Sequence, residues 1–190
     1  RMYKIGIPLQ CKEIYFKKIQ NFIIRKNYGL NKNDFCICHV SNLIFNGGIR
    51  YGPHTKTDEF IYKFKKKILN KIYKKINNKK IIFKDYPTIR HIYQPKIESR
   101  INFDNKNIFY SDSGDWRYLR AVANLIVTMS SSSTLSWCIG ANIPMVYIDI
   151  GDFRHNFIAA GFKKSFLYFD IRDKNWEVEI EKINGDIKLI

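Results

Sequence analysis

Leu125-Ile126-Val127-Thr128-Met129 runs without a break into Ser130-Ser131-Ser132-Ser133-Thr134-Leu135, and this stretch decides the fold. Apolar and β-branched residues with no polar alternation read as a strand buried on both faces, the pattern of a parallel sheet covered by helices. The small hydroxyl residues that follow stop the strand and favour a helix start, since a Ser or Thr oxygen accepts from an unpaired N–H of the first turn. One such residue is enough for a cap. A longer run leaves little bulk over the loop, so an anion can approach the first-turn N–H groups and the positive dipole end. We therefore expect a phosphate site at Ser130, Ser131, Ser132, Ser133 and Thr134, on a strand-to-helix loop at the carboxyl edge of a parallel sheet.

The rest of the chain alternates in the same way. Residues 11–28 place Ile14, Tyr15, Ile19, Phe22 and Ile23 at helical spacing and close at Tyr28-Gly29, as a peripheral helix would. Asp34 to Val40 reads as a first buried strand, followed by a loop from Ser41 to Lys56. Phe60, Phe64, Ile68, Ile72 and Ile76 recur every four residues in a helix that Thr57 caps. Strands are expected at 79–84, 107–110 and 144–149, and helices at 116–123 and 135–141. One more helix is expected beyond Asp152, and a final segment spans 176–183. The fold class that follows is α/β, a Rossmann-like parallel sheet with helices on both faces. The expected division is a connecting helix at 1–33, a Rossmann-like domain at 34–170 and an extension at 171–190.

In such a sheet every strand-to-helix loop falls on one edge. Arg50 and His54 follow the first strand, Lys84 ends the second and Arg90 lies just beyond it. These cations join the serine run as candidate phosphate contacts, Arg being suited to bidentate pairing. Each taken alone is more often a surface cation than a ligand contact, and it is their shared edge that favours the contact. Asp149 and Asp152 follow a later strand and could accept hydroxyls from a ribose or sugar, or serve only as turn residues. His39, inside a buried strand, reads as a hydrogen-bonded core histidine.

Composition narrows the class. The 190 residues are 45% hydrophobic and 26% charged, which is globular rather than disordered. Net charge is +16, carried largely by Lys set among Ile and Asn, and reads first as a solvated surface. Attraction to an anionic membrane or a phosphorylated ligand comes second. Cys11, Cys36, Cys38 and Cys138 lack zinc-type spacing and read as reduced packing residues of a cytosolic protein. No Asp-x-Asp pair points to a metal. Because it opens on Arg1-Met2, the chain is expected to be a piece of a longer protein. Neither end shows a signal peptide, lipidation motif or bilayer-length apolar span, so the expected location is cytoplasmic, at most peripheral at the inner membrane face.

Ala123-Asn124 through Leu135, followed by Gly140-Ala141-Asn142-Ile143-Pro144-Met145-Val146, resembles the C-terminal half of GT-B glycosyltransferases. The resemblance is to bacterial surface-carbohydrate and capsule-synthesis transferases, including the sialyltransferase-like group. Those proteins carry a Ser/Thr-rich turn that contacts the donor phosphate, then a small-Asn-x-Pro entry to the next strand. Lys84-Asp85-Tyr86-Pro87 is similar to their Lys-x-His-Pro motif, with Tyr86 in place of the histidine, a departure that bears on a CMP-sugar donor. The resemblance covers roughly residues 34–170. It implies a nucleotide-sugar donor as substrate, no separate cofactor, a glycan or lipid-linked acceptor, and a general base from an N-terminal domain outside this chain. The chain alone would then be inactive.

Two other readings compete. Sugar-nucleotide epimerases related by fold carry adjacent acidic residues after the phosphate turn, where this chain has Leu135-Ser136-Trp137. A basic Rossmann-like module for RNA or anionic membrane would use Lys63, Lys65, Lys66, Lys67, Lys71, Lys74 and Lys75, which occupy the polar side of the Thr57 helix and read as solvated lysines. Nucleic acid is not an expected partner.

Overall fold

The computed structural model describes residues 17–41, 58–68, 79–84, 107–111, 114–129, 133–150 and 166–182. In chain order these give α1 (Lys17–Asn27), β1 (Phe35–Val40), α2 (Asp58–Ile68), β2 (Lys79–Lys84), β3 (Ile108–Ser111), α3 (Trp116–Leu119), β4 (Leu125–Thr128), α4 (Ser133–Ile139), β5 (Met145–Asp149), β6 (Leu167–Asp170) and α5 (Trp176–Lys182). The described strands form one sheet in the order β3-β2-β1-β4-β5-β6, every neighbouring pair parallel. This is the doubly wound arrangement that the alternation of apolar strands and helices predicts.

Strand alternation sends successive side chains to opposite faces, and both faces are covered. Ile37, Ile81, Phe83, Leu125, Val127, Val146 and Ile148 pack with Phe64 and Ile68 of α2 and with Trp176 and Ile180 of α5. Cys36, Cys38, Ile82, Ile126, Met145 and Tyr147 pack on the other side with Trp116 and Leu119 of α3 and Leu135 and Cys138 of α4. Cys36, Cys38 and Cys138 are buried free thiols; burial pushes Cys138 up to about 12, so it stays an inert thiol. Cys11 lies outside the described residues.

Local chemistry sets the element ends. α1 closes on Gly29, whose φ of +60° is open to glycine at little cost. Leu30 N–H donates to Arg25 C=O at 2.8 Å and Gly29 N–H to Lys26 C=O at 3.2 Å, the paired bonds of a Schellman cap. Asn124 fastens β4 to β1: its N–H donates to Cys36 C=O and its Oδ1 accepts from Cys36 N–H, both at 2.8 Å. Asn142 takes φ 52°, a left-handed conformation Asn tolerates, and turns the chain from α4 toward β5. Pro144 C=O then accepts from Ile126 N–H at 2.9 Å.

The structure corrects the sequence reading in four places. β6 is a strand that the apolar pattern did not announce. α3 ends at Leu119 rather than near Ala123, because Ala121, Val122 and Ala123 N–H groups bond three residues back, to Tyr118, Leu119 and Arg120 C=O, which tightens the chain into successive turns. α4 begins at Ser133, not Leu135. Lys65 is fully buried rather than solvated: it lies three residues before Ile68, at the border of the apolar stripe, and is near enough to His39 to depress that imidazole. The helix predicted beyond Asp152 and the Ile72 and Ile76 turns of the Thr57 helix lie outside the described residues.

Candidate functional site at the carboxyl edge of the sheet

The strand order reverses direction between β1 and β4. Chain leaving β1 turns to one side and chain leaving β4 to the other, which opens a crevice outside the carboxyl ends of these two strands. The serine run leaves β4 at this point. Ser133 and Thr134 form the first turn of α4, while the side chains of both, and the whole of Ser130, Ser131 and Ser132, lie outside what is described. Arg50, His54, Arg90 and Asp152 also lie outside the described residues.

Lys84 is described, and register places it. Val40 of β1 pairs with Lys84 on one side and with Thr128 on the other, so the three share a rung across adjacent strands. At the usual strand spacing, Lys84 and Thr128 backbones are about 10 Å apart. Lys84 is thus one strand from the crevice, on the β2 flank. Thr128 Oγ1 donates to Val40 C=O at 3.2 Å, and Ser41 N–H donates to Lys84 C=O at 2.9 Å; both bonds hold the rim in place.

The described buried polar and charged residues are His39, Ser41, Lys65, Lys84, Ser111, Thr128 and Asp149. All except Lys65 stand within the last two positions of a strand or just past it, at the carboxyl edge. Buried polar groups cost free energy unless they are bonded, so their concentration on one edge marks where polarity is required. Ser111, opposite Lys84 on β3, and Trp116 each keep a buried polar atom, Oγ and Nε1, without a hydrogen-bond partner among the described residues. A Cβ on Gly114 would lie 2.5 Å from Ser111 Oγ and 3.2 Å from Leu119 Cδ1, so a side chain there would force the Ser111 hydroxyl to turn away.

Electrostatics divide the edge. On the β2–β3 flank, Asp115 caps α3 by accepting from Arg117 N–H at 2.8 Å. It also accepts from the Arg117 guanidinium at 2.9 and 2.6 Å. That guanidinium, with a lesser contribution from Lys84, holds the Asp115 carboxyl below its usual range. On the β5–β6 flank Asp149 is fully buried and its Oδ2 accepts from the Tyr168 hydroxyl and from Arg172 Nη2, the latter at 3.3 Å. Arg172 also clasps Asp170 at 2.7 and 2.6 Å, and Asp170 is the register partner of Asp149. The Asp170 hydrogen bond raises the Arg172 pKa; burial and then the Asp149 bond raise that of Tyr168. Arg172, Tyr168 and Ser111 were not singled out from sequence. The first two depend on β6, and Ser111 lies one residue past the strand expected at 107–110.

His39 is fully buried and stacks on Phe83 with ring centroids 4.7 Å apart. Burial, then the charge of Lys65, lowers its pKa to about 3, so it is a neutral core residue at physiological pH. Among the described residues no group of His, Cys, Asp and Glu is arranged to hold a metal ion.

No family model matches the chain, and no curated protein matches it. Solved structures do. The wall teichoic acid polymerase TagF superposes over 99% of this chain and 44% of its own, with TM-score 0.57 and 12% identity. Trehalose-6-phosphate synthase OtsA covers 98% of this chain and 44% of its own, with TM-score 0.50 and 13% identity. The chain therefore spans less than half the length of either structure. At such identities the likeness is one of fold: the six-stranded parallel sheet and its helices form a Rossmann-like α/β domain that matches a domain-sized part of each of these structures.

Proposed function

We propose that this chain is the donor-binding half of a glycosyltransferase and grips the phosphate of a nucleotide-sugar at the serine turn. The observation that carries the reading is topological: the serine run leaves β4 at the switch point of the sheet, with Lys84 on the same rung as Thr128 across β1. α4 N–H groups, serine hydroxyls and Lys84 would bind the phosphate and neutralise charge as the glycosidic bond breaks. Arg50, His54 and Arg90 are proposed as further phosphate contacts, and Asp149 and Asp152 as weaker sugar or ribose contacts. With Oδ2 of Asp149 accepting from Tyr168 and Arg172, that residue would act chiefly by holding the β5–β6 end in shape.

The finer parts of the proposal are a role in bacterial surface-polysaccharide synthesis, a glycan or lipid-linked acceptor, a cytoplasmic location, and kinship with the sialyltransferase-like group. The last rests on the serine turn and the Asn142-Ile143-Pro144 entry to the next strand, while Tyr86 in Lys84-Asp85-Tyr86-Pro87 departs from that group's histidine and speaks against a CMP-sugar donor. The general base would come from outside this chain. The basic-module alternative draws less support: Lys63 pairs with Glu59 and Lys67 with Glu177, and Lys65 is buried, which breaks up the lysine stripe. The test is a thermal-shift screen of nucleoside mono- and diphosphates and their sugars, with Ser133→Asp as the control. Saturable stabilisation by a nucleotide that Ser133→Asp removes is the expected result. A chain that no nucleotide stabilises at millimolar concentration refutes the donor-site reading.

A further inference from the structure

We propose that α1 is a docking element for anionic lipid surfaces, independent of any donor site. One side of α1 is committed to the domain. Asn21 Nδ2 donates to Ala121 C=O at 2.7 Å, Arg25 donates to Asn31 C=O at 2.5 Å, and Ile24 and Tyr28 pack against the sheet-face cluster around Leu30. With the helix fixed by that side, Ile19, Phe22 and Ile23 are turned to solvent at 58, 69 and 47% exposure. Their i, i+3, i+4 spacing makes them a single apolar stripe. Three large apolar side chains on one exposed helix face exceed the scattered single hydrophobics that a protein surface normally shows.

Charge decides what covers this stripe. α1 reads KKIQNFIIRKN and contains no acidic residue. Lys17 and Lys18 precede Ile19, and Lys26 lies one turn beyond Phe22 and Ile23; all three lysines are exposed. A second copy of the chain would bring two such basic helices together within a chain already at +16, which like-charge repulsion opposes. An anionic bilayer reverses the sign. Ile and Phe enter the headgroup–acyl boundary while Lys18, beside the stripe, and Lys26, which continues it one turn on, meet acidic headgroups, as in an interfacial amphipathic helix. None of the described helices is long and apolar enough to cross a membrane, so the contact would be peripheral.

The test is flotation of the full chain with vesicles of phosphatidylcholine alone and of phosphatidylcholine with an equal part of phosphatidylglycerol. The parent is compared with Ile19→Ser/Phe22→Ser/Ile23→Ser and with Lys17→Gln/Lys18→Gln/Lys26→Gln, whose folding is checked by circular dichroism and melting. These six side chains are exposed, so the fold should persist. The parent is expected to float with anionic vesicles only, and each variant to bind at least about tenfold more weakly, from lost apolar burial in one case and lost headgroup attraction in the other. Equal binding to neutral vesicles, or a folded serine variant that binds anionic vesicles as the parent does, overturns the proposal. So does sedimentation showing a parent dimer that the serine variant dissolves, since the stripe would then belong to a second copy.

Discussion

Acid should weaken this fold through His39 before most carboxylates are protonated. The imidazole is fully buried in the stack over Phe83, faces the charge of Lys65, and has its pKa lowered from 6.5 to about 3. In the unfolded chain it regains the ordinary value and binds a proton below pH 6.5, whereas the folded chain resists one until near pH 3. The unfolded state therefore binds more protons across this window, and stability falls as pH falls from 6.5 toward 3. At about 1.4 kcal/mol per pH unit, the loss between pH 7 and pH 5 is about 2 kcal/mol, reached while an ordinary carboxylate is still mostly ionised. Urea melts at pH 7 and pH 5 measure it. His39→Phe keeps a flat ring over Phe83 and removes the proton site, so its difference between the two pH values should be smaller than the parent's by about 2 kcal/mol. If the variant loses as much stability as the parent over this interval, another group is responsible and the reasoning fails.

Three further outcomes follow from single side chains. Gly29→Ala meets nothing within 4 Å, so its cost is purely that of φ +60° and should be about 1 kcal/mol in urea unfolding; no change would remove the Schellman cap as a stabilising feature. Tyr168→Phe takes a donor from the fully buried Asp149 carboxylate and should cost about 1–3 kcal/mol, whereas Leu167→Ala, on an exposed position of the same strand, should cost less. Lys84→Met preserves the stem and deletes the charge; nucleotide affinity in the thermal-shift assay should fall at least about tenfold, and unchanged affinity would separate Lys84 from the phosphate site.

Much of the sheet can be read in the chain because its central strands are continuous apolar runs. Cys36 to Val40, Ile81 to Phe83, Leu125 to Met129 and Met145 to Ile148 are buried on both faces, and nothing but a covered parallel strand suits such segments at that length. β6 escapes the same logic. Leu167-Tyr168-Phe169-Asp170 is an edge strand in which only Phe169 is buried, so its pattern barely differs from a loop. Lys65 escapes for another reason: helical periodicity assigns a sector, and a long stem at the sector's border can be drawn under its neighbours. On the site, Lys84 is visible because a cation closing an apolar strand has few places to go. Arg172 is not, since its meaning comes from Asp149 and Asp170 meeting across a β5–β6 pairing that no local motif encodes.

The two flanks of the carboxyl edge then differ in what they can accept. Toward β3, the Asp115 carboxylate is held at short range by Arg117 and also feels the charge of Lys84. Toward β6, among the described residues, the Asp149 and Asp170 carboxylates share the Arg172 guanidinium. On the proposed reading, an extended ligand lying along the edge would set its anionic end beside Lys84 and its hydroxyl-bearing end toward the carboxylates of β5 and β6. A nucleotide-sugar has that polarity. A uniformly anionic strand of RNA does not, because it would lay a phosphate toward the partly exposed Asp170 carboxylate as well as toward Lys84.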